Sequence, residues 1–215
     1  MSARRTLAEI AMSLGGSQDP GTKPDQIWHE YEPLFAPLAE LPLNILEIGV
    51  YNGTSIRTLA TYFRNARIVG LDLLVPAIDL SHYPSVSMLV CDQRDSTRLN
   101  AICDQHMADG VDIVIDDASH VGEYSLETYR ALFPRVRAGG LYVVEDWGTG
   151  YWPHWGDGGE FTGPCLQDRP AGLARRITSH DYGMVGFVKS LIDDVRGPVS
   201  SLHINGSFVA LTKRL

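Results

Sequence analysis

Basic clusters, paired cysteines and long hydrophobic runs are all missing from this chain of 215 residues, and each absence excludes a class of protein. Eighteen Lys and Arg face 26 Asp and Glu, which gives a net charge of −8, and nucleic-acid binding needs a concentrated basic face. The three cysteines are odd in number and lack C-x-x-C spacing, so we expect reduced thiols and a cytoplasmic protein. Glu9 interrupts the apolar N-terminal stretch and no apolar run is of membrane-spanning length, so we expect neither a signal peptide nor a membrane contact.

The hydrophobic residues, 44% of the chain, are arranged as short runs that alternate with stretches of helical period. Five runs predict buried strands at 44–49, 66–73, 85–91, 111–116 and 140–145. One helical face lies within 56–63, and a second consists of Tyr129, Leu132, Phe133 and Val136. Strands buried on both faces and joined by helices predict an α/β fold with a mostly parallel sheet, in a single domain over 1–215.

The two ends of the chain differ from this alternating pattern. Residues 1–40 predict a helical segment, with a short amphipathic helix around 7–14 and a longer one after a Gly/Pro-rich loop at 15–26. Near the C-terminus, Asn205-Gly206 separates two alternating segments and predicts a hairpin with a type I′ turn. A parallel sheet that ends in an antiparallel hairpin resembles the Rossmann-like class I methyltransferase fold, because dinucleotide-binding folds usually lack the hairpin.

The segment ILEIGVYNGTS joins the first predicted strand to a helix through a glycine turn. Gly49 and Gly53 allow a ligand to approach the backbone closely, and the start of the following helix offers unpaired N–H groups. Tyr51 stands where a dinucleotide fingerprint has its second glycine, so that fingerprint fits poorly. A tight strand-to-helix turn without any ligand is the alternative interpretation.

Acidic residues follow the next two predicted strands. Asp72 ends the second strand, where a carboxylate can accept both hydroxyls of a ribose. Asp92 and Gln93 follow the third strand, where a base would lie, and the Gln amide offers both a donor and an acceptor. Each acid alone also fits a helix cap or a solvated loop. Their succession at the carboxyl ends of neighbouring strands favours a nucleotide-like ligand at that edge of the sheet.

The fourth and fifth predicted strands end in two pairs of acids. Asp116-Asp117 ends the fourth, with His120 three residues later, and Glu145-Asp146 ends the fifth. Neighbouring parallel strand ends bring these groups together, and crowded carboxylates repel unless a cation neutralises them. Oxygen ligands of this kind suit Mg²⁺. His120 near a helix N-terminus is biased toward the neutral form that a general base requires.

Other interpretations of these acids remain open. The Asp pair and Ser119 also fit a helix-capping arrangement, and Glu145-Asp146 also fits a solvated strand end. Residues 147–164 hold three of the four tryptophans among six glycines, which predicts a functional loop. We expect a lid-like segment over 147–172, with a packed surface flap or an oligomer contact as the alternative. A homodimer or higher homo-oligomer is expected from this exposed aromatic loop.

The segments GTK…WHEYEPLFAPL, NILEIGVYNGTS, GLDL, CDQ, IDDASH and EDWGTGYWP occur in this order. Together they resemble the macrocin O-methyltransferase type of metal-dependent sugar methyltransferase, and similar enzymes methylate mannosides of methylmannose polysaccharides. The resemblance implies S-adenosylmethionine and Mg²⁺ as cofactors and a glycoside or oligosaccharide hydroxyl as acceptor. It implies that Asp117, Glu145 and Asp146 ligate the metal and that His120 is the base. The candidate cofactor positions are Glu47, Gly49, Tyr51, Gly53, Ser55, Asp72, Asp92, Gln93 and Asp116.

The candidate contacts to the acceptor are His29, Tyr31, Trp147, Tyr151 and Trp152, the aromatic ones because a ring can stack on a sugar face. The Tyr31 position also fits the core face of its helix. Three rival functions remain: methylation of a catechol-like diol, a non-catalytic S-adenosylmethionine-binding subunit, and a nicotinamide oxidoreductase. The last is disfavoured by the missing glycine and by the terminal hairpin.

Overall fold

The computed structural model describes residues 4–15, 22–159 and 183–215. Its centre is a seven-stranded sheet in the order β3-β2-β1-β4-β5-β7-β6. The strands are β1 (Asn44–Ile48), β2 (Arg67–Asp72), β3 (Val86–Val90), β4 (Val111–Asp116), β5 (Val136–Glu145), β6 (Val199–Ile204) and β7 (Phe208–Lys213). Strands β1 to β5 pair in parallel, and β7 pairs antiparallel with both β5 and β6. The predicted parallel sheet with a C-terminal antiparallel hairpin is therefore confirmed.

Helices cover both faces of the sheet. They are α1 (Leu7–Ser13), α2 (Asp25–Phe35), α3 (Thr54–Tyr62), α4 (Ser96–His106), α5 (Gly122–Leu132) and α6 (Met184–Asp194). Helices α1 to α3 pack against one face, where Ile45 and Ile113 are fully buried. Helices α4 to α6 pack against the other, where Leu46 and Val114 are fully buried. Because neighbouring residues of one strand point to opposite faces, these alternating pairs supply both cores.

The N-terminal helix forms where the sequence predicts it. Thr6 and Glu9 make a reciprocal capping box, with the Glu9 amide donating to the Thr6 hydroxyl oxygen at 3.2 Å and the Thr6 amide donating to Glu9 at 2.8 Å. The box satisfies two amides that the first turn leaves without helical partners. Leu7, Ile10 and Ala11 are buried in the core on the face of the sheet that α1 to α3 cover. The N-terminal segment thus belongs to the core.

Two local predictions are wrong. Val136 was expected on a helical face, but α5 ends at Leu132, a 3₁₀ turn follows over Phe133–Arg135, and Val136 begins β5. Pro134 explains this ending, since proline cannot continue the helical hydrogen bonding. The hairpin turn is not type I′, because neither Asn205 nor Gly206 has a positive φ. Instead, the Asn205 side-chain oxygen accepts from the amides of Ser207 and Phe208, at 2.9 and 2.8 Å.

Within the described ranges, none of the helices is both long and apolar enough to cross a lipid bilayer. Cys91 and Cys103 are buried and free, as expected for reduced thiols, and Cys165 lies outside the described residues.

Candidate active site

A cavity of about 750 Å³ opens at the carboxyl edge of the parallel strands. Such a volume is typical of pockets that bind a small molecule. Its wall combines the glycine turn after β1, the ends of β2 to β5, the segment 22–24 and the aromatic loop. The residues that line it include Lys23, Gly49, Tyr51, Asp72, Asp92, Gln93, Asp117, His120, Glu145, Asp146, Trp152 and Trp155. The sheet edge predicted to bind a ligand is therefore the edge that carries the cavity.

The glycine turn is held in shape by Asp72. One carboxylate oxygen of Asp72 accepts from the amides of Val50 and Tyr51, at 3.0 and 2.9 Å. Gly49 has a φ of +90°, and a Cβ at this position would lie 2.0 Å from the carbonyl oxygen of Asp117. Only glycine allows the ends of β1 and β4 to approach so closely. Tyr51 also has a positive φ, +44°, and its side chain is 61% exposed at the cavity wall.

The helix start beyond the turn holds two further predicted cofactor positions. Gly53, with a φ of +77°, is the N-cap residue of α3. Ser55 lies in the first turn of α3 and lines a narrow recess beside the main cavity, which it shares with Lys23 and Asp117. The recess lies between the segment before α2 and the glycine turn.

Asp92 and Gln93 line the cavity but already have partners in the protein. Asp92 pairs with Arg94, whose Nη2 lies 2.6 Å from one carboxylate oxygen, and this hydrogen bonding lowers the pKa of Asp92 to about 2. The Gln93 amide nitrogen donates to the hydroxyl of Thr128 at 3.1 Å, and its oxygen accepts from the amide of Ser119 at 3.1 Å. Gln93 therefore positions the loop that follows β4.

Two acids beneath the cavity are fully enclosed. Burial raises the pKa of Asp116 to about 6 and that of Glu47 to about 7. By distance neither oxygen of Glu47 accepts a hydrogen bond, although the Ser55 side chain acts on this carboxyl and lowers its pKa, and one oxygen of Asp116 also lacks a partner. Buried carboxylates without partners are costly, so these atoms are open to a further donor or cation.

Asp117, His120 and Asp146 face one another at the end of β4 and β5. The His120 Nε2 atom lies 3.8 Å from Oδ1 of Asp117 and 3.7 Å from Oδ2 of Asp146. One ligand atom from each of the three side chains lies within 4.8 Å of the others, the spacing of a group that can hold a metal ion. Burial raises the pKa of both Asp117 and Asp146, while the nearby His120 acts in the opposite direction. The predicted convergence of acids and imidazole is thus present.

Glu145, the third metal ligand that the resemblance implies, has different partners. Its Oε1 atom accepts a hydrogen bond from the Tyr31 hydroxyl at 2.5 Å and another from the Lys23 ammonium at 2.8 Å. The Lys23 ammonium also donates to Asp117. Lys23 belongs to the GTK segment that carries the resemblance, but it is not among the predicted site residues. Burial alone would lower the pKa of this lysine, but Asp117, Glu145 and Glu47 together raise it.

The aromatic loop is packed onto His120. His120 has a φ of +51°, and its carbonyl oxygen accepts from the Trp155 indole nitrogen at 2.9 Å and from the Thr149 hydroxyl at 3.2 Å. Asp157 accepts from the amides of Gly122 and Met184, the first residues of α5 and α6, at 2.7 and 3.1 Å. Residues 147–159 are therefore bound to the site; the remainder of the predicted lid, 160–172, lies outside the described residues.

Among the candidate acceptor contacts, the structure places only Trp152 in the cavity wall, with 47% of its surface exposed. Trp147 donates to the carbonyl of Asn205 at 2.9 Å, and Tyr151 packs edge-on against Trp147. His29 is exposed on α2 and does not line the cavity. Tyr31 is fully buried between Phe35 and Phe208, as expected for the core face of its helix.

The sheet order and the cavity at its carboxyl edge define a class I methyltransferase domain. No protein-family model matches the chain. The chain is 35% identical over 180 residues to 8-demethyl-8-(2-methoxy-alpha-L-rhamnosyl)-tetracenomycin-C 3'-O-methyltransferase of Streptomyces olivaceus, covering 79% of this chain and 41% of that enzyme. It is 35% identical over 175 residues to demethylmacrocin O-methyltransferase of Streptomyces fradiae, covering 77% and 39%.

Crystal structures of the MycE methyltransferase from the mycinamycin biosynthetic pathway superpose with a TM-score of 0.76 at 28% identity. The match covers 99% of this chain and 56% of that one; MycE is in complex with Mg and SAH, and in one case also with mycinamycin VI. The chain spans about two fifths of the length of the two curated relatives. It is a class I methyltransferase domain homologous to sugar O-methyltransferases of the macrocin and tetracenomycin type, which confirms the macrocin part of the resemblance; none of these relatives supports the link to methylmannose polysaccharides.

Proposed function

We propose that this domain transfers the methyl group of S-adenosylmethionine to a hydroxyl group of a sugar, with Mg²⁺ held by its strand-end acids. The observation that carries the proposal is the group formed by Asp117, His120 and Asp146 on the cavity wall. Two carboxylates beside an imidazole supply both a place for a cation and a proton acceptor. The relatives named above are sugar O-methyltransferases, and MycE is in complex with Mg and SAH.

The residues around the cavity fit the methyl donor. Asp72 lies at the end of β2, where a ribose would meet its carboxylate, and Asp92 follows β3. Asp116 keeps one buried oxygen without a hydrogen-bond partner, which suits an ammonium group such as that of a methionine moiety. When bound, S-adenosylmethionine supplies an electrophilic methyl group.

The donor set also fits a divalent cation. Asp117 and Asp146 present oxygen atoms toward a common point, and the second oxygen of Glu145 is buried without a partner. These are the hard oxygen ligands that Mg²⁺ prefers. When bound, the cation would stabilise negative charge that develops on an acceptor oxygen.

His120 is proposed as the general base. A sugar hydroxyl is a poor nucleophile until it loses its proton, and the Nε2 atom faces the cavity between two carboxylates. Asp117 and Asp146 flank this nitrogen, so the proposed base lies directly beside the proposed cation site.

Trp152 is proposed as the aromatic contact to the sugar, because it is the candidate ring that is both exposed and on the cavity wall. The acceptor is a glycoside hydroxyl, and a rhamnoside is the first one to test, because the tetracenomycin relative is a methyltransferase of a rhamnosyl compound. A mannoside, the other acceptor that the sequence suggests, belongs in the same test.

The test is a methyl-transfer assay with the purified chain, S-adenosylmethionine, Mg²⁺ and a panel of alkyl rhamnosides, alkyl mannosides and a catechol. We expect transfer to at least one glycoside, loss of activity with a chelator, and recovery on addition of Mg²⁺. Transfer to the catechol alone would show that the acceptor is a catechol-like diol and not a sugar. Activity that is indifferent to the chelator would remove the metal from the proposal, and tight SAH binding without any transfer would favour a non-catalytic subunit.

A further inference from the structure

Lys23 is a buried ammonium group inside a cluster of acids. Its side chain is 6% exposed, its Nζ atom donates to Asp117 and Glu145, and Oε1 of Glu47 lies 3.9 Å away. It comes from the segment before α2, whereas its two hydrogen-bond acceptors come from the ends of β4 and β5, and Glu47 lies in β1. A lone lysine is not enclosed in this way unless charged partners compensate for its lost hydration. The acids therefore hold the segment 22–24 against the cavity.

Asp117 is shared between two neighbouring cation positions. One oxygen, Oδ2, accepts from Lys23, while the other, Oδ1, faces His120 at 3.8 Å. The first position, between Asp117 and Glu145, is filled by the ammonium group. The second, among Asp117, His120 and Asp146, is bordered by ligand atoms within 4.8 Å of one another. A divalent cation bound jointly by Asp117 and Glu145 would need the place that Lys23 occupies.

An alternative partner for the lysine is already present. Both oxygens of Glu47 are buried without a hydrogen-bond partner by distance, Oε1 lies only 3.9 Å from the ammonium group, and the Ser55 side chain is the other polar group that acts on this carboxyl. One of the Glu145 oxygens is likewise buried and without a partner. A single positive charge therefore leaves several buried carboxylate oxygens uncompensated. The cluster has ligand atoms for one more cation, provided that Lys23 turns to Glu47.

We propose that Lys23 is an internal substitute for the divalent cation, which holds Asp117 and Glu145 together and moves to Glu47 when the metal takes its place. The proposal rests on the divalent cation of the proposed function. It makes Lys23 a positioning residue, because its ammonium group keeps the ligands assembled in the metal-free domain. It also couples metal binding to the position of Thr22 and Pro24, the neighbours of Lys23 in the chain, which line the cavity beside it.

The test is a calorimetric titration of Mn²⁺ alone into the full chain, carried out for the wild type and for Lys23→Met. Methionine matches the length of lysine without its charge, so we expect at least about a fivefold tighter binding of Mn²⁺, within the usual range of coupling between two sites. The wild type should also gain less in Tm from saturating Mn²⁺ than the variant does. Arg64→Met, which removes one exposed positive charge before β2, is the matched control and should bind Mn²⁺ as the wild type does.

A second variant separates displacement of the lysine from simple charge repulsion. If the metal enters between Asp117 and Glu145, then Glu145→Gln in the Lys23→Met background should weaken Mn²⁺ binding by about tenfold or more, as loss of a ligand interaction does. Unchanged affinity in that double variant, or unchanged or weaker affinity in Lys23→Met alone, would overturn the proposal. So would a failure of both wild type and Lys23→Met to bind Mn²⁺ at millimolar concentration.

These measurements need neither methyl donor nor acceptor. Absence of methyl transfer would therefore contradict the proposed function. The exchange of Lys23 for the metal would still be decided by the Mn²⁺ titrations. If Lys23→Met does not fold, the Lys23→Arg variant tests the proposal instead. A guanidinium group binds two carboxylates in a fixed geometry, so Lys23→Arg should bind Mn²⁺ at least about fivefold more weakly than the wild type, and equal or tighter binding overturns the proposal.

Discussion

The indole nitrogen of Trp155 donates a hydrogen bond of 2.9 Å to the backbone carbonyl of His120. His120 adopts a left-handed backbone conformation, which is uncommon outside glycine, and the Thr149 hydroxyl donates to the same carbonyl. The two donors fix the peptide group after His120 and so fix the direction of its ring. Trp155 therefore acts on the candidate base through the backbone.

Replacing Trp155 with Phe tests this relationship, because phenylalanine keeps an aromatic ring but has no donor. A typical hydrogen bond contributes about 1 kcal/mol, so we expect kcat to fall by about fivefold to tenfold while KM for the acceptor changes little. Steady-state kinetics with the best glycoside acceptor gives both constants. Trp152→Phe is the matched control: its exposed ring is the proposed contact to the acceptor, so its effect should fall mainly on KM. A change in KM alone for Trp155→Phe would contradict a role through His120.

The role of His120 itself requires a variant that preserves the backbone. Asparagine tolerates positive φ better than alanine does, so His120→Asn removes the base with little added strain. We expect its kcat to fall by about 10²–10⁴-fold, the usual contribution of a general base. SAH binding, measured by calorimetry, should stay within about threefold of the wild type, since His120 is not among the predicted donor contacts.

His120→Ala serves as the comparison, since it loses the base and also strains the backbone. Its kcat should fall at least as far as that of His120→Asn, and its Tm should fall further. Full activity of His120→Asn would assign proton removal to another group.

The pH dependence of stability follows from Glu47. Burial raises the pKa of this carboxyl from 4.5 to about 7, against the opposing effect of Lys23. Between these two pH values the unfolded chain releases the proton and the folded chain keeps it, so the free energy of unfolding falls as pH rises. Above the folded pKa the full penalty is present; below the unfolded pKa it vanishes.

Glu47→Gln removes this proton linkage. We expect its free energy of unfolding to fall less between pH 5 and pH 8 than that of the wild type, by up to about 3 kcal/mol for a shift of this size. Urea denaturation at the two pH values without divalent cations measures the difference. Glu127→Gln, which removes an exposed carboxyl on α5, should follow the wild-type dependence. Parallel behaviour of Glu47→Gln and wild type would show that Glu47 ionises normally.

Gly49 should be intolerant of any side chain. A Cβ there would lie 2.0 Å from the Asp117 carbonyl oxygen, and the residue has a φ of +90°. Gly49→Ala is expected to destabilise the domain by more than about 3 kcal/mol, because strain and a steric clash add. Gly156→Ala is the matched control, since a Cβ at that position has no neighbour within 4 Å. Thermal denaturation of both variants gives the comparison, and equal Tm values would contradict the close approach of β1 and β4.

The sequence predicts those parts of the site that follow from a regular pattern. Apolar runs end at Asp72, Asp117 and Asp146, and parallel strands bring their carboxyl ends to one edge of the sheet. The sequence alone therefore predicts this cluster. Lys23 could not, because it lies 94 positions from Asp117 and 122 from Glu145 in a Gly/Pro-rich loop without periodicity. Its contacts exist only after the segment 22–24 folds across the ends of β4 and β5.

The aromatic loop illustrates the same limit. Its richness in tryptophan predicts a functional segment, but composition does not tell which ring faces a ligand and which one braces the backbone. Trp147 and Trp155 each use the indole N–H on a protein carbonyl, whereas Trp152 is exposed at the cavity. Hydrogen bonds of this kind depend on tertiary distances, and no local pattern encodes them.

Within the described ranges, the only non-glycine residues with positive φ are Tyr51, His120 and Asp146, and all three lie on the cavity wall. Each unfavourable backbone angle lowers the free energy of unfolding by about 1 kcal/mol or more. Engineering for heat tolerance would therefore select glycine or asparagine at these three positions first. Because these positions line the candidate active site, we expect the same changes to lower kcat, so thermal stability and turnover would compete at these three positions.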